Sequence, residues 1–282
     1  MHAPVLPPAT VTVRFDAAAP DRLRRAIDDI RQGFVQWRLA LALAWLDLRN
    51  RYRGSVLGPL WLTLSTGVML GSLGFLYSAL FKITLAEYLP WLAISLIIWN
   101  VIGQVVNEAC VNLTSSEGIV RQMPLPFTVH ALRCVLRNAL VAAHNLPLIL
   151  VVCLLFWIIP GWEALLVVPG LLLLAVNSVA ASLLLGMVCA RFRDIAPIVG
   201  SVLQIAFFMT PVIWKPELLS PPYQALLLLN PFYVVMETIR APLIEGGGSW
   251  AVWLAALGYT LVNCALSFAF FVRFRGRIAF WV

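Results

Sequence analysis

The chain has 282 residues and a formal net charge of +7; 61% of its residues are hydrophobic and only 12% are charged. A soluble domain carries about 25% charged residues, so this composition excludes a protein whose whole surface faces water. The five cysteines and three histidines have spacings that predict neither disulfides nor a metal site. No G-x-x-x-x-G-K-[ST] motif occurs, so the sequence predicts no phosphate loop for ATP in this chain.

The N-terminal part of the chain divides into two predicted segments. Residues 1–20 form an extension to which the sequence assigns no function. Residues 21–54 are predicted to form an amphipathic helix in the cytoplasmic membrane interface, because apolar residues recur at steps of three and four and the uncharged part is too short to cross a bilayer. A soluble helix that packs on a partner is the alternative. The apolar residues of the pattern are Leu23, Ile27, Ile30, Phe34, Trp37, Leu41 and Leu48.

Six apolar stretches follow, and they predict an all-α integral membrane protein with a six-span transmembrane domain over residues 55–282. Each stretch is close to the length of about 20 residues that a helix needs to cross the hydrocarbon core. The predicted spans lie near Gly58–Phe81, Leu89–Val111, Asn138–Ile159, Ala164–Ala190, Ile195–Trp214 and Trp250–Val272.

The basic residues predict the orientation of these spans. If the N-terminus is cytoplasmic, all of the 20 basic residues except Lys82, Lys215 and Arg240 lie in cytoplasmic segments. Cytoplasmic loops carry such an excess of Lys and Arg, so both termini are predicted to be cytoplasmic. Topology signals and contacts with anionic membrane lipids then account for the positive net charge without nucleic acid.

A cytoplasmic segment near residues 113–123 has the composition of a short helix. Thr114–Ser116 offer capping groups, Glu117 and Arg121 stand four residues apart, and two prolines follow. This pattern predicts a helix of one or two turns suited to docking into another protein. An ordinary connecting loop is the alternative.

A segment on the outer side, residues 215–248, is too apolar for a solvated loop. Its apolar runs are interrupted by Asn230-Pro231 and by Arg240, and they are too short to span a bilayer. Two half-helices that meet at Asn230-Pro231 and re-enter the membrane fit better. Such backbone is tolerated only where it is buried in protein or lines a wet cavity, so the segment predicts a pore with an outer gate.

Five motifs in this order carry a resemblance to a known family. They are "RYRGSVLGPLW" before the first span, "MPLP" in the cytoplasmic loop, "RFRDI" after the fourth span, "MTPVIW" at the end of the fifth and "LNPFYVVMETIR" before the last. Over roughly residues 35–282 the chain resembles the membrane subunit of the type-2 ATP-binding-cassette exporters of bacterial polysaccharides, which move O-antigen, teichoic acid and capsular chains.

The resemblance implies a homodimer in the bacterial inner membrane, bound to two copies of a separate cytosolic ATPase that carries the ATP and magnesium. It implies a transport subunit that is not an enzyme, with no cofactor of its own and a lipid-linked polysaccharide as substrate. It also turns the segment near 113–123 into a coupling helix, with a second ATPase contact in "RFRDI"; a positive-inside loop with a local Arg–Asp pair is the alternative there. The residues implied in coupling are Glu117, Arg121, Arg191, Arg193 and Asp194. Those implied in the outer gate are Asn230, Pro231 and Arg240.

A polysaccharide channel is expected to combine neutral polar groups with aromatic faces. Polar residues within a span usually face the bundle interior or water, although they also cross-link helices, and aromatic residues also serve in packing or in a lipid-facing belt. Glu108 extends the polar row of the second span. The predicted channel residues are Tyr77, Phe81, Asn100, Gln104, Asn107, Phe207 and Phe208.

The arginines before the first span allow two interpretations. Arg49, Arg51 and Arg53 are topology signals and lipid anchors, or they hold the pyrophosphate of a lipid-linked substrate through bidentate guanidinium contacts. Two rival functions also remain open at this stage. One is a drug- or lipid-exporting permease of the same superfamily, and the other is a membrane scaffold or a lipid-embedded enzyme.

Overall fold

The computed structural model describes residues 21–55, 58, 60–118, 123 and 125–282, and every regular element within these ranges is helical. This confirms the all-α prediction, whereas the extension 1–20 lies outside the described residues. Short 3₁₀ turns join several helices, at Thr114–Ser116, Trp162–Leu166, Pro216–Leu218 and Leu227–Leu229. The α-helices are α1 (Arg22–Val35), α2 (Trp37–Arg51), α3 (Leu60–Phe81), α4 (Leu85–Val111), α5 (Phe127–Ala143), α6 (Leu146–Leu155), α7 (Val167–Arg191), α8 (Ile195–Met209), α9 (Pro221–Leu226), α10 (Pro231–Ile244) and α11 (Trp250–Trp281).

Five helical stretches of the described chain are long and apolar enough to cross a membrane, so the protein is a multi-pass membrane protein. A sixth arises only if the helices on either side of Asn230, which are bent by 103°, count as one span. The exact number of six spans therefore stays a prediction. The five stretches are Leu60–Phe81, Leu85–Val111, Phe127–Leu155, Trp162–Arg191 and Trp250–Trp281.

The third membrane helix begins earlier than the sequence predicts. α5 starts at Phe127, whereas the predicted span starts near Asn138, after two arginines. Arg133 and Arg137 lie inside the helix because acidic side chains of α2 and α4 pair with them. Charges that are paired in this way cost much less to bring to the membrane interface than isolated charges.

The fifth predicted span is shorter in the structure. α8 has 15 residues and ends at Met209, fewer than the roughly 20 that a span needs. Thr210 has extended backbone angles, φ −94° and ψ 136°. Pro211 explains this end, because proline disfavours helical geometry at the preceding residue and has no N–H to donate.

α4 is the central helix of the bundle. It contacts α3, α5, α6, α7, α8 and α10, and 67% of its most apolar stretch is buried inside the protein. Every residue from Trp91 to Trp99 is buried. A helix that is apolar on all sides is buried on all sides, and this places the polar residues that follow Trp99 next to the middle of the molecule.

α1 is held to the bundle by one buried acidic residue. The Asp29 carboxylate is 2% exposed and accepts hydrogen bonds from the backbone N–H groups of Phe127 and Thr128 at 3.2 and 3.1 Å. It also accepts from the Thr128 hydroxyl at 2.9 Å and from Arg275 Nε on α11 at 2.8 Å. Asp29 thus caps the first turn of α5, where unpaired N–H groups favour an anion.

The two faces of α1 differ in what they contact. The packed face includes Gly33, where a Cβ atom would lie 2.5 Å from Cβ of Thr128, so a larger residue would push the helix off α5. Beside this face Leu23, Ile27 and Phe34 are 54%, 48% and 51% exposed. These three side chains of the predicted amphipathic face are therefore available to a surface outside the chain, whereas Ile30 and Leu48 pack inside it.

Candidate functional site

Two ionic clusters join α2 to the membrane helices α4 and α5. The Asp47 carboxylate of α2 accepts from Arg133 Nε and Nη2 at 2.7 and 2.6 Å and from Arg137 Nη1 at 3.0 Å. Burial alone raises the pKa of the Asp47 carboxyl, and the two guanidinium groups more than offset this, so the pKa lies below its ordinary value of 3.8. The bidentate contact with Arg133 is the strong form of this interaction.

Glu108 of α4 lies in the second ionic cluster. Its carboxylate accepts from Arg51 Nη2 at 2.8 Å, from Arg137 Nη2 at 2.7 Å and from Asn138 Nδ2 at 2.6 Å. Arg137 touches both acidic residues, so α2, α4 and α5 share one network. Glu108 is the last residue of the polar row of α4, and its carboxylate is occupied by two arginines.

The three arginines before the first span are separated by the structure. Arg51 is committed to Glu108, as described above. Arg49 and Arg53 are exposed and have no carboxylate partner within the described part of the chain. Both line a cavity of about 570 Å³ at the end of α2, with Trp45, Tyr52 and His144 among its other walls. A cationic and aromatic cavity of this kind suits an anion attached to an apolar tail.

The predicted polar row of α4 lies on one helical face. Asn100, Gln104 and Asn107 follow each other at steps of four and three residues. The first two are half-buried and Asn107 is exposed. Their side chains make no hydrogen bond to any described residue, in contrast to Asn112 on the same helix, which donates to the Ser182 hydroxyl at 2.7 Å. These three amides therefore keep their hydrogen-bonding groups available for a ligand or a neighbouring subunit.

The predicted channel aromatics form two groups. Phe207 of α8 lies 5.6 Å from Trp99 and 5.4 Å from Phe208 between ring centroids, so this group adjoins the start of the polar row. Phe208 is 67% exposed. Tyr77 and Phe81 stack on each other at 5.5 Å on α3 and pack in a different apolar cluster near the start of α4. The structure thus brings the α8 aromatics to the amides and leaves the α3 pair apart.

The residues predicted to contact the ATPase lie near the ends of helices, after α4 and between α7 and α8. Glu117 has helical backbone geometry and is half-buried, whereas its predicted partner Arg121 lies outside the described residues. Arg191, Arg193 and Asp194 are all exposed where α7 meets α8. Among the described side chains no ion pair joins Asp194 to either arginine, so this turn is not closed by a local Arg–Asp pair.

Asn230 caps α10 at the bend of the outer segment. Its side-chain oxygen accepts from the N–H groups of Phe232 and Tyr233 at 3.0 and 3.2 Å, and its Nδ2 donates to the Thr210 hydroxyl at 2.9 Å. Pro231 occupies the first helical position, where its missing N–H is not needed. The pair therefore fixes both the direction of α10 and its attachment to the end of α8.

Arg240 anchors the other half of α10. Its side chain is fully buried, and Nη1 donates to the Ser95 hydroxyl at 2.8 Å and to the Pro211 carbonyl oxygen at 2.7 Å. Nη2 pairs with Glu237, and the guanidinium carbon lies 3.4 Å from the ring centroid of Trp91. Arg240 thus holds the outer segment to α4 and to the end of α8.

The sequence predicted no role for Asp29 or Asp47. Each lies on the face of its helix that packs on α5. Asp29 lies between Ala26 and Gly33 on the buried face of α1. An acidic residue among the small residues of the packed face was the signal that a partner was needed inside the protein.

Comparison with known proteins agrees with this architecture. The sequence model of the ABC-2 type transporter family matches residues 38–244. The chain belongs to this family. An O-antigen export system permease protein RfbA of Myxococcus xanthus is 24% identical over 77% of this chain and 84% of its own length. One of the same name from Klebsiella pneumoniae is 20% identical over 71% of this chain and 78% of its own.

Family membership confirms the resemblance drawn from the five motifs. The matched range begins at Arg38 on α2 and ends at Ile244, the last residue of α10. It thus includes both ionic clusters, the α4 amides and the bent outer segment of this ABC-2 chain. α1 and α11, which Asp29 links through Arg275, lie on either side of it.

Proposed function

We propose that this chain is the membrane subunit of an ATP-driven exporter that moves a lipid-linked polysaccharide from the cytoplasmic side of the bacterial inner membrane. Two copies form the channel and bind two copies of a cytosolic ATPase, which hydrolyses ATP, and both termini are cytoplasmic. The permease names of the relatives support the polysaccharide, and the ABC-2 family supports the ATPase partner. The observation that carries the proposal is the row of unpartnered amides on α4.

The amide row has the chemistry that a passing glycan requires. An unpaired amide in a membrane costs several kcal/mol in contact with lipid, so Asn100, Gln104 and Asn107 need water, sugar hydroxyls or a second subunit beside them. The side-chain oxygen of Asn107 lies 3.8 Å from the Cβ position of Gly200 on α8, so α8 borders the row. Phe207 and Phe208 of α8 then offer aromatic faces on which sugar rings stack.

The outer segment acts as the gate of this channel. α10 and the preceding helix re-enter the membrane with a bend of 103°, and Asn230 and Pro231 set that bend. Arg240 holds the C-terminal half of α10 on α4, and opening of the gate requires release of the contact between Asn230 and Thr210 at the other end of α10. The cytoplasmic ATPase contacts are made by Glu117 and Arg121 in the coupling helix and by the exposed turn with Arg193 and Asp194. Arg191, which was also predicted to take part, lines a separate cavity at the end of α7.

The substrate reaches the channel through the cavity at the end of α2. α1 and α2 lie in the cytoplasmic interface, with Leu23, Ile27 and Phe34 in the membrane surface. Arg49 and Arg53 hold the pyrophosphate of the lipid carrier in the cavity that they share with Trp45 and Tyr52. Arg51 is bound to Glu108 and is not among the residues that line this cavity.

The amide row is tested by export assays on three variants in cells that lack the native gene. Each neutral hydrogen bond contributes about 1 kcal/mol, so the double variant Gln104→Leu/Asn107→Leu lowers surface glycan about thirtyfold. The conservative Gln104→Asn and Asn107→Gln variants retain most of the export, and all three bind the ATPase normally. Equal export by the leucine and amide variants would show that the row has no contact with the substrate.

The nature of the cargo is tested on the purified complex. Mass spectrometry of lipids bound to the permease and its ATPase is expected to find a glycan on a lipid pyrophosphate. Arg49→Lys with Arg53→Lys keeps the charge but removes the bidentate fork, so the bound amount falls about tenfold, whereas Arg51→Lys leaves it unchanged. A complex that retains only glycan-free lipid or a drug would replace this proposal with the alternative permease function.

A further inference from the structure

A second cationic cavity lies between the basic ends of α7 and α11, away from the substrate cavity. It has a volume of about 180 Å³ and opens to the surface of the protein. Two arginines and four aromatic residues form most of its wall. The lining residues are Met187, Val188, Arg191, Phe192, Phe270, Phe274, Arg277 and Trp281.

The length of α11 places this cavity at the depth of lipid headgroups. The helix has 32 residues, and the uncharged part from Trp250 to Val272 alone is about 35 Å long at 1.5 Å per residue. The hydrocarbon core is about 30 Å thick, so Arg277 and Trp281 lie beyond it. α7 has 25 residues and reaches its only charge at its end, Arg191. The two helices therefore meet the headgroup layer together.

The two arginines of the cavity have no acidic partner. Arg191 and Arg277 are exposed, and no carboxylate of the described chain lies within ion-pair distance of either. Arg275, on the same stretch of α11, is instead bound to the buried Asp29 at 2.8 Å. The cavity thus retains two positive charges that the protein does not neutralise, and a ligand of negative charge complements them.

The aromatic wall suits the apolar part of a lipid. The Phe274 ring lies 5.6 Å from both Phe270 and Trp281 between centroids, which makes a continuous ring surface along α11. The guanidinium carbon of Arg191 lies 5.4 Å from the centroid of Phe192. Aromatic residues are typical of the headgroup level because one side contacts acyl chains and the other contacts water.

We propose that this cavity binds the headgroup of an anionic phospholipid from the cytoplasmic leaflet, with the guanidinium groups of Arg191 and Arg277 bound to its phosphate. The acyl chains follow the exposed apolar faces of α7 and α11 toward the bilayer centre. A zwitterionic headgroup fits less well, because none of the described residues that line the cavity has a carboxylate to receive its amine. The ATPase contacts proposed above use Arg193 and Asp194, which lie beyond the end of α7 and outside the cavity lining.

Native mass spectrometry of the purified permease tests the site. The protein is titrated in detergent with phosphatidylglycerol, with phosphatidylethanolamine and with inorganic phosphate. We expect phosphatidylglycerol to be retained at least about tenfold more than the other two. The amine of phosphatidylethanolamine would be left without an acceptor in the cavity, and inorganic phosphate has no acyl chains to bury. Two variants are expected to lose this retention. Val188→Trp fills the cavity and leaves both arginines in place, and Arg191→Gln/Arg277→Gln removes both guanidinium groups.

The matched control is Arg22→Gln/Arg25→Gln, which removes the same charge from two exposed arginines of α1 that are not part of the cavity lining, and it is expected to retain the lipid. Equal loss in the control would mean that net charge alone attracts the lipid and would overturn the site. Equal retention of phosphatidylethanolamine, or equal binding of inorganic phosphate, would overturn the anionic lipid as occupant. If the Arg191→Gln/Arg277→Gln variant retained the lipid normally but no longer bound the ATPase, the cavity would be a contact site for the ATPase and the lipid proposal would be wrong.

Discussion

The buried arginine of the outer segment offers the sharpest test of how α10 is held. Arg240→Met replaces a fully buried guanidinium by an apolar side chain of similar length. The change leaves the Glu237 carboxylate, which is 5% exposed, without its positive partner. It also removes the donor to the Ser95 hydroxyl and to the Pro211 carbonyl oxygen, so four groups lose a contact at once, including the Trp91 ring.

The expected cost follows from the burial of these groups. Removal of one partner from a buried ion pair destabilises a protein by about 3–5 kcal/mol, because the remaining charge stays desolvated. Glu237→Met added to Arg240→Met removes that charge too, and a buried pair replaced by apolar side chains is often nearly neutral. The double variant is therefore expected to be more stable than the Arg240→Met single variant.

Lys215→Met is the matched control. Lys215 also pairs with a glutamate and also lies over the Trp91 ring, at 5.8 Å. Its partner Glu87 is 62% exposed, however, and exposed pairs contribute about 0–1 kcal/mol. Thermal unfolding in detergent, followed by size-exclusion chromatography, compares the variants. A loss of stability for Arg240→Met no larger than for Lys215→Met would refute the role of Arg240 as the anchor of α10.

Three further substitutions test the contacts around the bundle by the same measurement. Asp29→Ala is expected to lower the free energy of unfolding by about 3–5 kcal/mol, because it removes one partner of a buried pair. Asp28 is exposed, so Asp28→Ala costs less than about 1 kcal/mol. Equal losses of stability would contradict the role of Asp29 in holding α1 to α5 and α11. Asn230→Ala removes a helix cap and costs about 0.5–2 kcal/mol. Asp47→Asn destabilises at neutral pH, and because the native pKa is lowered this difference persists above pH 3.8 and disappears as pH falls through the native value.

The sequence predicted the helical class and most of the spans because uncharged stretches of membrane length leave few alternatives. It placed the start of α5 too late because Arg133 and Arg137 count as charges in any hydropathy pattern. Only the fold shows that Asp47, more than eighty residues away along the chain, neutralises them. Long-range pairing of this kind cannot be read from local composition.

The sequence predicted the residue types of the candidate site, but only the geometry of the fold distinguishes the roles of residues of the same type. Arg49, Arg51 and Arg53 are equivalent in the sequence, since all three precede the first span. On a helix, neighbours two residues apart point about 200° away from each other, so Arg51 reaches Glu108 while the other two reach the cavity. Glu108 shares a helical face with the amides of α4, and only its contacts with Arg51 and Arg137 distinguish it from them.

α5 connects the parts of the molecule that transport requires. The segment that leads from the predicted coupling helix enters α5 at Phe127, whose backbone N–H is bound by Asp29 of α1. One to three turns later the same helix binds Asp47 of α2 and Glu108 of α4, and Glu108 is adjacent to the last amide of the predicted channel. We propose that α5 moves as a rigid body, so that a displacement at Phe127 reaches the proposed substrate cavity and the amide row together. The contacts of Asp29, Asp47 and Glu108 with α5 support this coupling.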